Sequence, residues 1–166
     1  FVGPYAMEKE IFGSWSFPDD LEQIVTIQDG IANKALKCSC TFAEGAYLFD
    51  ERYKLKDGTY FEKDFSKTEE LLQKAVEDAK TADKVVVCIG EHAKQTGEAT
   101  SRTKLTVSDG QMDLLRKVRE VNENVITVVF AGRPIELDEI AALSKAVLLV
   151  WFPGTEGGNA VADVLF

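Results

Sequence analysis

Three short apolar runs constrain this chain more than any other feature. Lys84-Val85-Val86-Val87-Cys88-Ile89-Gly90, Val125-Ile126-Thr127-Val128-Val129-Phe130 and Ala146-Val147-Leu148-Leu149-Val150-Trp151-Phe152 are continuous, not alternating, and rich in β-branched residues. That is the pattern of strands covered on both faces, and so of a parallel sheet. Segments of helical period lie before and between them. Leu71, Leu72, Ala75, Val76 and Ala79 share one face of a helix spanning Thr68–Thr81, with Glu69, Glu70, Lys74, Glu77 and Asp78 toward water. Ser108 and Gln111 pair as a capping box ahead of Met112, Leu115 and Val118, which starts a helix after residues 104–107. Ile24, Ile27, Ile31 and Ala35 predict an earlier helix, weakened by Gly30 and by the Ile24-Val25-Thr26-Ile27 run, and a strand over residues 38–42 follows. Alternating strands and helices with right-handed crossovers make an α/β fold. The expected form is a three-layer sandwich around a mostly parallel sheet of about five strands, flavodoxin- or Rossmann-like.

A chain of 166 residues with 45% hydrophobic and 28% charged residues is sized and composed for one domain with its own core. The formal charge of -9 repels polyphosphate backbones and anionic headgroups, so neither nucleic acid nor a membrane surface is an expected partner. Cys38, Cys40 and Cys88 are odd in number and two of them stand too close for an ordinary bridge, so they are read as reduced, buried thiols that lean toward a cytoplasmic setting. With His92 the lone histidine and no Cys-x-x-Cys spacing, no metal site is expected. Phe1-Val2-Gly3-Pro4 reads as a strand entered halfway, and 161–166 stop inside an apolar run without a capping glycine. Residues 1–166 are therefore expected to be one domain of a longer, multidomain polypeptide.

In such sheets ligands meet the loops at the carboxyl ends of the strands. The connection after the first run, residues 91–107, is long and charged, the kind that carries function. Glu98 follows Gly97 among small residues and is the sharper candidate for acid–base work, while Glu91 beside the strand end is expected to fix the loop through backbone amides, with a catalytic role in reserve. Arg102 suits either a substrate clamp or an anchor for a carboxylate. If Glu98 donates protons, Arg102 has to be aimed elsewhere, because an arginine held against it lowers its pKa. His92 is a weak base candidate, and no serine or cysteine nucleophile stands in a recognisable setting. Residues 154–159 lack dinucleotide and phosphate-loop spacing and are read as tight strand-to-helix packing. No cofactor is called for. Gly132-Arg133-Pro134 reads as a turn, Trp151 and Phe152 as core or interdomain contacts, and the 43–67 insertion as a hairpin turning at Asp57-Gly58.

Taken in order, Val85-Val86-Val87-Cys88-Ile89-Gly90-Glu91, Glu98-Ala99-Thr100-Ser101-Arg102, Gly132-Arg133-Pro134 and Trp151-Phe152-Pro153-Gly154-Thr155-Glu156-Gly157-Gly158-Asn159-Ala160 resemble the second domain of glycoside hydrolase family 3. Val2-Gly3-Pro4 and Gly13-Ser14-Trp15-Ser16 look like the start of that domain in bacterial β-glucosidases. The resemblance implies a retaining, exo-acting β-glucosidase releasing terminal β-D-glucosyl residues. Its aspartate nucleophile lies on a preceding (β/α) barrel, and this domain lends the acid/base. It assigns the acid/base to Glu98 and keeps Glu91 in reserve, with Arg102 and His92 as positioning or substrate-binding residues. Retaining hydrolysis needs two carboxyl groups ~5 to 5.5 Å apart, which two docked domains supply. The other reading is a non-catalytic α/β module that binds a small ligand or serves as a docking domain.

Overall fold

The computed structural model describes residues 1–34, 37–55 and 57–166. Helix α1 (Ile27–Asn33) comes first, and the two-stranded antiparallel hairpin β1 (Tyr53–Lys54) and β2 (Tyr60–Phe61) follows. Then come α2 (Thr68–Thr81), β3 (Val85–Gly90), α3 (Asp109–Val121), β4 (Val125–Phe130), α4 (Asp138–Leu143), β5 (Ala146–Leu149) and α5 (Gly157–Leu165). Strands β3, β4 and β5 form a parallel sheet in that order, with Val87 opposite Thr127 and Thr127 opposite Val147.

The regular sheet thus has three strands where about five were expected. Two further positions are filled by segments that touch it at single bridges. Val2 pairs in parallel with Val87 on one side and with Ala43 on the other. Val2 donates to Val86 O at 2.9 Å, Cys88 N donates to Val2 O at 2.7 Å, and Gly3 N donates to Ala43 O at 3.0 Å. The predicted strand over 38–42 does not form; only a single bridge at Ala43, just beyond it, reaches the sheet. Counting the bridged segments, the order runs Ala43, Val2, β3, β4, β5, which is the flavodoxin-like arrangement with its switch point between Val2 and β3.

Continuous apolar strands are explained by cover on both faces. Val85, Val87, Ile89, Val125 and Val129 pack with Leu114, Leu115, Val118 and Ile140 from α3 and α4 and with Ala75 and Ala79 from α2. Val86, Cys88, Val128 and Phe130 pack with Ile27 and Ile31 of α1 and Val161 and Ala162 of α5. Each such fully buried aliphatic side chain contributes about 1.5–3 kcal/mol relative to its exposed state.

Helix α2 has the predicted bounds. Helix α3 starts where predicted, but the capping differs. Ser108 makes no side-chain bond to its amides, and the carboxylate of Asp50 accepts from Asp109 N (2.9 Å) and Gly110 N (2.8 Å) instead. Gln111 turns inward, bonding Gly90 N at 2.8 Å and Gly90 O at 3.0 Å, so helix α3 is tied to the end of β3. Ile24 is buried but outside α1, whose true cap is a Thr26–Asp29 capping box, and Ala35 lies outside the described residues. Gly30, a local weakness on propensity, is required in space. A Cβ there would lie 2.2 Å from the Gly158 backbone, and one at Gly158 would lie 1.8 Å from Thr26 O. The 154–159 segment therefore packs tightly, α5 against α1. Of the cysteines only Cys88 is buried, its thiol pushed up to about 12 by burial; Cys38 is exposed and Cys40 half-buried, and all three are free. Among the described residues no helix is long and apolar enough to cross a membrane.

Candidate active site

The switch point between Val2 and β3 places the loop that follows β3 in the crevice of the fold. Loops leaving β3, β4 and β5 all emerge at this carboxyl edge, since the strands are parallel. The segment after Val2 joins them. Ser14 Oγ lies 2.7 Å from both Ala93 O and Thr96 O, and Tyr5 donates its hydroxyl to Glu91 O at 2.6 Å.

Glu91 is 1% exposed. Its carboxylate accepts from Arg102 Nη1 (2.9 Å) and from Gly132 N (2.9 Å), and Arg133 Nε lies 3.5 Å away. A buried carboxylate held by two arginines and an amide is a fixed anchor. Arg102 also donates to Thr106 O at 3.0 Å, so its guanidinium faces the base of the loop.

His92 is buried as well, with its ring 5.4 Å from Phe49 and edge-on to Phe61. Its Nδ1 accepts from Lys94 N at 3.0 Å and caps the 3-10 turn Ala93–Gln95, which leaves the proton on Nε2, 3.4 Å from Glu10 Oε2. Burial, then the nearby Lys94 charge, lowers its pKa to about 4, while Asp57 opposes this. Burial also raises the Glu10 carboxyl. His92 therefore stands as a neutral cap behind the loop.

Glu98 is in the opposite situation. It is exposed on a turn between Gly97 (φ 87°) and Ala99 (φ 59°), two left-handed residues in a stretch of three. Its carboxylate has no hydrogen bond or ion pair among the described residues. Beside it opens a cleft of about 230 Å³ lined by Tyr53, Lys94, Gln95, Ala99, Thr100 and Arg102. That cleft shares Tyr53, Gln95 and Arg102 with a larger one of about 350 Å³, which runs past Phe49 and Lys104 toward Asp109 at the start of α3. The hairpin forms one wall: Tyr53 stacks on Phe49 at 4.4 Å, and Lys94 reaches Asp57 at 3.0 Å. The 43–67 insertion is thus a hairpin, turning at Asp57-Gly58 as predicted, and it belongs to the crevice.

Of the four residues singled out by sequence, Glu91 and Arg102 are in direct contact, His92 lies behind them, and Glu98 stands clear at the tip. Arg133, whose sequence context signals only a turn, belongs to the site as well. Its Nη2 donates to Gln95 O at 2.6 Å and to Thr100 O at 2.9 Å, the two stems of the Glu98 turn. Beside it, Trp151 is 48% exposed and left-handed (φ 56°), with Ala131 N donating to its carbonyl at 3.4 Å. Among the described residues no cluster of three or more histidine, cysteine, aspartate or glutamate side chains is placed to hold a metal ion.

The family model described as glycosyl hydrolase family 3 C-terminal domain matches residues 1–166. A periplasmic beta-glucosidase of Salmonella typhimurium is 34% identical over 99% of this chain, which covers 22% of that protein. A beta-glucosidase of Listeria innocua in complex with isofagomine superposes with a TM-score of 0.79 at 27% identity, over 99% of this chain and 20% of that one. A GH3 beta-glucosidase of Bifidobacterium adolescentis gives a TM-score of 0.78 at 27% identity over 99% and 22%. The chain thus spans about a fifth of the length of these proteins.

Proposed function

Because the chain belongs to the glycosyl hydrolase family 3 C-terminal domain family, we propose that it is the acid/base-contributing domain of a retaining, exo-acting β-glucosidase. On this reading the whole protein hydrolyses terminal, non-reducing β-D-glucosyl residues. Glu98 protonates the departing glycosidic oxygen and then draws a proton from water. The nucleophilic aspartate is assigned to a preceding (β/α) barrel of the same polypeptide, brought within reach when the two domains dock. Exposed Trp15, Phe17 and Trp151 are large apolar side chains of the kind that meet another domain.

The observation that carries the proposal is the contrast in what surrounds the two glutamates. A general acid that must also serve as a base needs a carboxyl free of a fixed cation, in reach of a partner surface. Glu98 meets that condition because Arg102 is committed to Glu91. Glu91, shut behind two arginines, is poorly placed to exchange protons with a substrate and keeps only its reserve standing. His92 and Arg102 act from behind, shaping the loop that carries Glu98.

The test uses the full-length enzyme. Glu98→Ala is expected to lower turnover of alkyl glucosides by ~10² to 10⁴-fold, the usual worth of general acid–base catalysis. Aryl glucosides with good leaving groups should be spared, and azide should restore turnover. Equal loss across leaving groups, without rescue, would remove Glu98 from the role.

A further inference from the structure

The loop from Glu91 to Arg102 is held unevenly. At its base Glu91 ties Arg102, Gly132 and the neighbourhood of Arg133 together. Its first half is bonded through Ser14 to Ala93 O and Thr96 O. Beyond Thr96 the external support is one side chain. Among the described residues, the only hydrogen bond from outside the loop to residues 97–101 is Arg133 Nη2 to Thr100 O at 2.9 Å, and the same nitrogen holds Gln95 O at 2.6 Å. One planar nitrogen therefore draws together the stems on either side of Glu98. The turn between them contains two positive φ angles, at Gly97 and Ala99, and a hydrogen bond from Thr100 Oγ1 to Gly97 O is its own internal closure.

Arg133 is itself placed by the anchor. Its neighbour Gly132 donates its amide to Glu91 Oε1, and Arg133 Nε, buried and without a hydrogen bond, points within 3.5 Å of Glu91 Oε2. A side chain for Gly132 is excluded, because a Cβ would come within 2.8 Å of Phe152 and 2.7 Å of Thr96 Oγ1. The loop after β4 is thus locked, and the arginine it presents is a rigid fork instead of a mobile charge.

We infer that Arg133 is a positioning residue that sets where the Glu98 carboxyl stands for proton transfer, an inference that rests on Glu98 being the acid/base. Arg133 touches no reacting atom; it acts through the backbone of residues 95–100. A lysine in its place keeps the charge beside Glu91 but loses the fork, and a glutamine loses both.

In the full-length enzyme, Arg133→Gln and Arg133→Lys are compared with Glu98→Ala on alkyl glucosides and on dinitrophenyl glucoside, which leaves without a proton. Displacing a catalytic group by about 1 Å costs up to ~100-fold, so kcat/KM for the alkyl glucosides should fall ~10- to 100-fold in Arg133→Gln. Dinitrophenyl glucoside, needing no acid, should change less than about threefold. Azide should yield glucosyl azide with the Arg133 variants, as with Glu98→Ala and unlike the parent. If Glu98→Ala shows the leaving-group split but the Arg133 variants lose both substrates equally, or neither, Arg133 does not position Glu98 while the acid/base assignment stands. If Glu98→Ala shows no split, the assignment falls and this inference with it. Should Arg133→Gln prove unfolded by its circular dichroism melt, the same ratio and azide product are read on Arg133→Lys.

Discussion

Glu91 and Glu98 share one loop, lie seven residues apart and have opposite fates. Glu91 is buried with its oxygens taken by Arg102 and Gly132, whereas Glu98 is exposed at a turn and bonded to nothing among the described residues. A carboxylate withdrawn from water is tolerable only when its lone pairs are filled, and filling them removes it from proton exchange. One acidic side chain has been made into a nail so that the other can remain loose. The same split extends to neighbours: His92 and Tyr5 serve the base, and Gly97 and Ala99 supply the unusual backbone of the tip.

The contrast can be attacked in order of expected effect. Glu91→Ala leaves two arginines without their counter-charge and Gly132 without an acceptor, and should lower unfolding free energy by about 3 kcal/mol or more in urea titration. A loss under about 1 kcal/mol would mean that Glu91 is no anchor. Next comes pH. His92 is neutral when folded, with its pKa near 4 against 6.5 when unfolded. The unfolded chain therefore binds the extra proton between those values, and stability present above pH 6.5 is lost as pH falls toward 4. The loss has a ceiling of about 3 kcal/mol. Glu10, whose carboxyl is raised by burial, works the other way and reduces the net slope. Asparagine at position 92 keeps a cap but cannot titrate, so His92→Asn should flatten the dependence of melting temperature on pH across that window; an unchanged slope would assign it elsewhere. Gly97→Ala forces a Cβ into φ 87° and should cost about 1 kcal/mol. Smallest is Glu98→Ala, within about 0.5 kcal/mol of the parent by calorimetry even as activity collapses. A large destabilisation there would erase the distinction between the two glutamates.

Much of the scaffold could be read from residue types because its causes are local. The stripe of Leu71, Leu72, Ala75, Val76 and Ala79 needs only the helical period, and helix α2 has the bounds it predicted. The strands β3 and β4 follow likewise from runs of β-branched residues. What escaped is nonlocal. Asp50 displaces Ser108 as the cap of α3 from 59 residues away. Gly30 looks like a defect until Gly158, at the other end of the chain, is laid across it. Two of the five expected sheet positions are single bridges whose partners, Val2 and Ala43, carry no periodic signal. In the candidate site, Glu98, Glu91 and Arg102 stood out by motif and charge, but Arg133 did not. Its targets are backbone carbonyls, and a carbonyl leaves no mark in the residue alphabet. The same reason explains why His92, attractive by type, turns out to be a buried cap.

The bridge at Val2 has a consequence for how such a domain comes into being. Val2 sits between Ala43 and β3, so its segment occupies an inner berth one of whose neighbours, Val87, is synthesised only after 84 intervening residues. The sheet can be stitched along that seam only late. Until then the segment has only Ala43 to pair with, and an error in seating it would also misplace the Tyr5 hydroxyl that steadies Glu91.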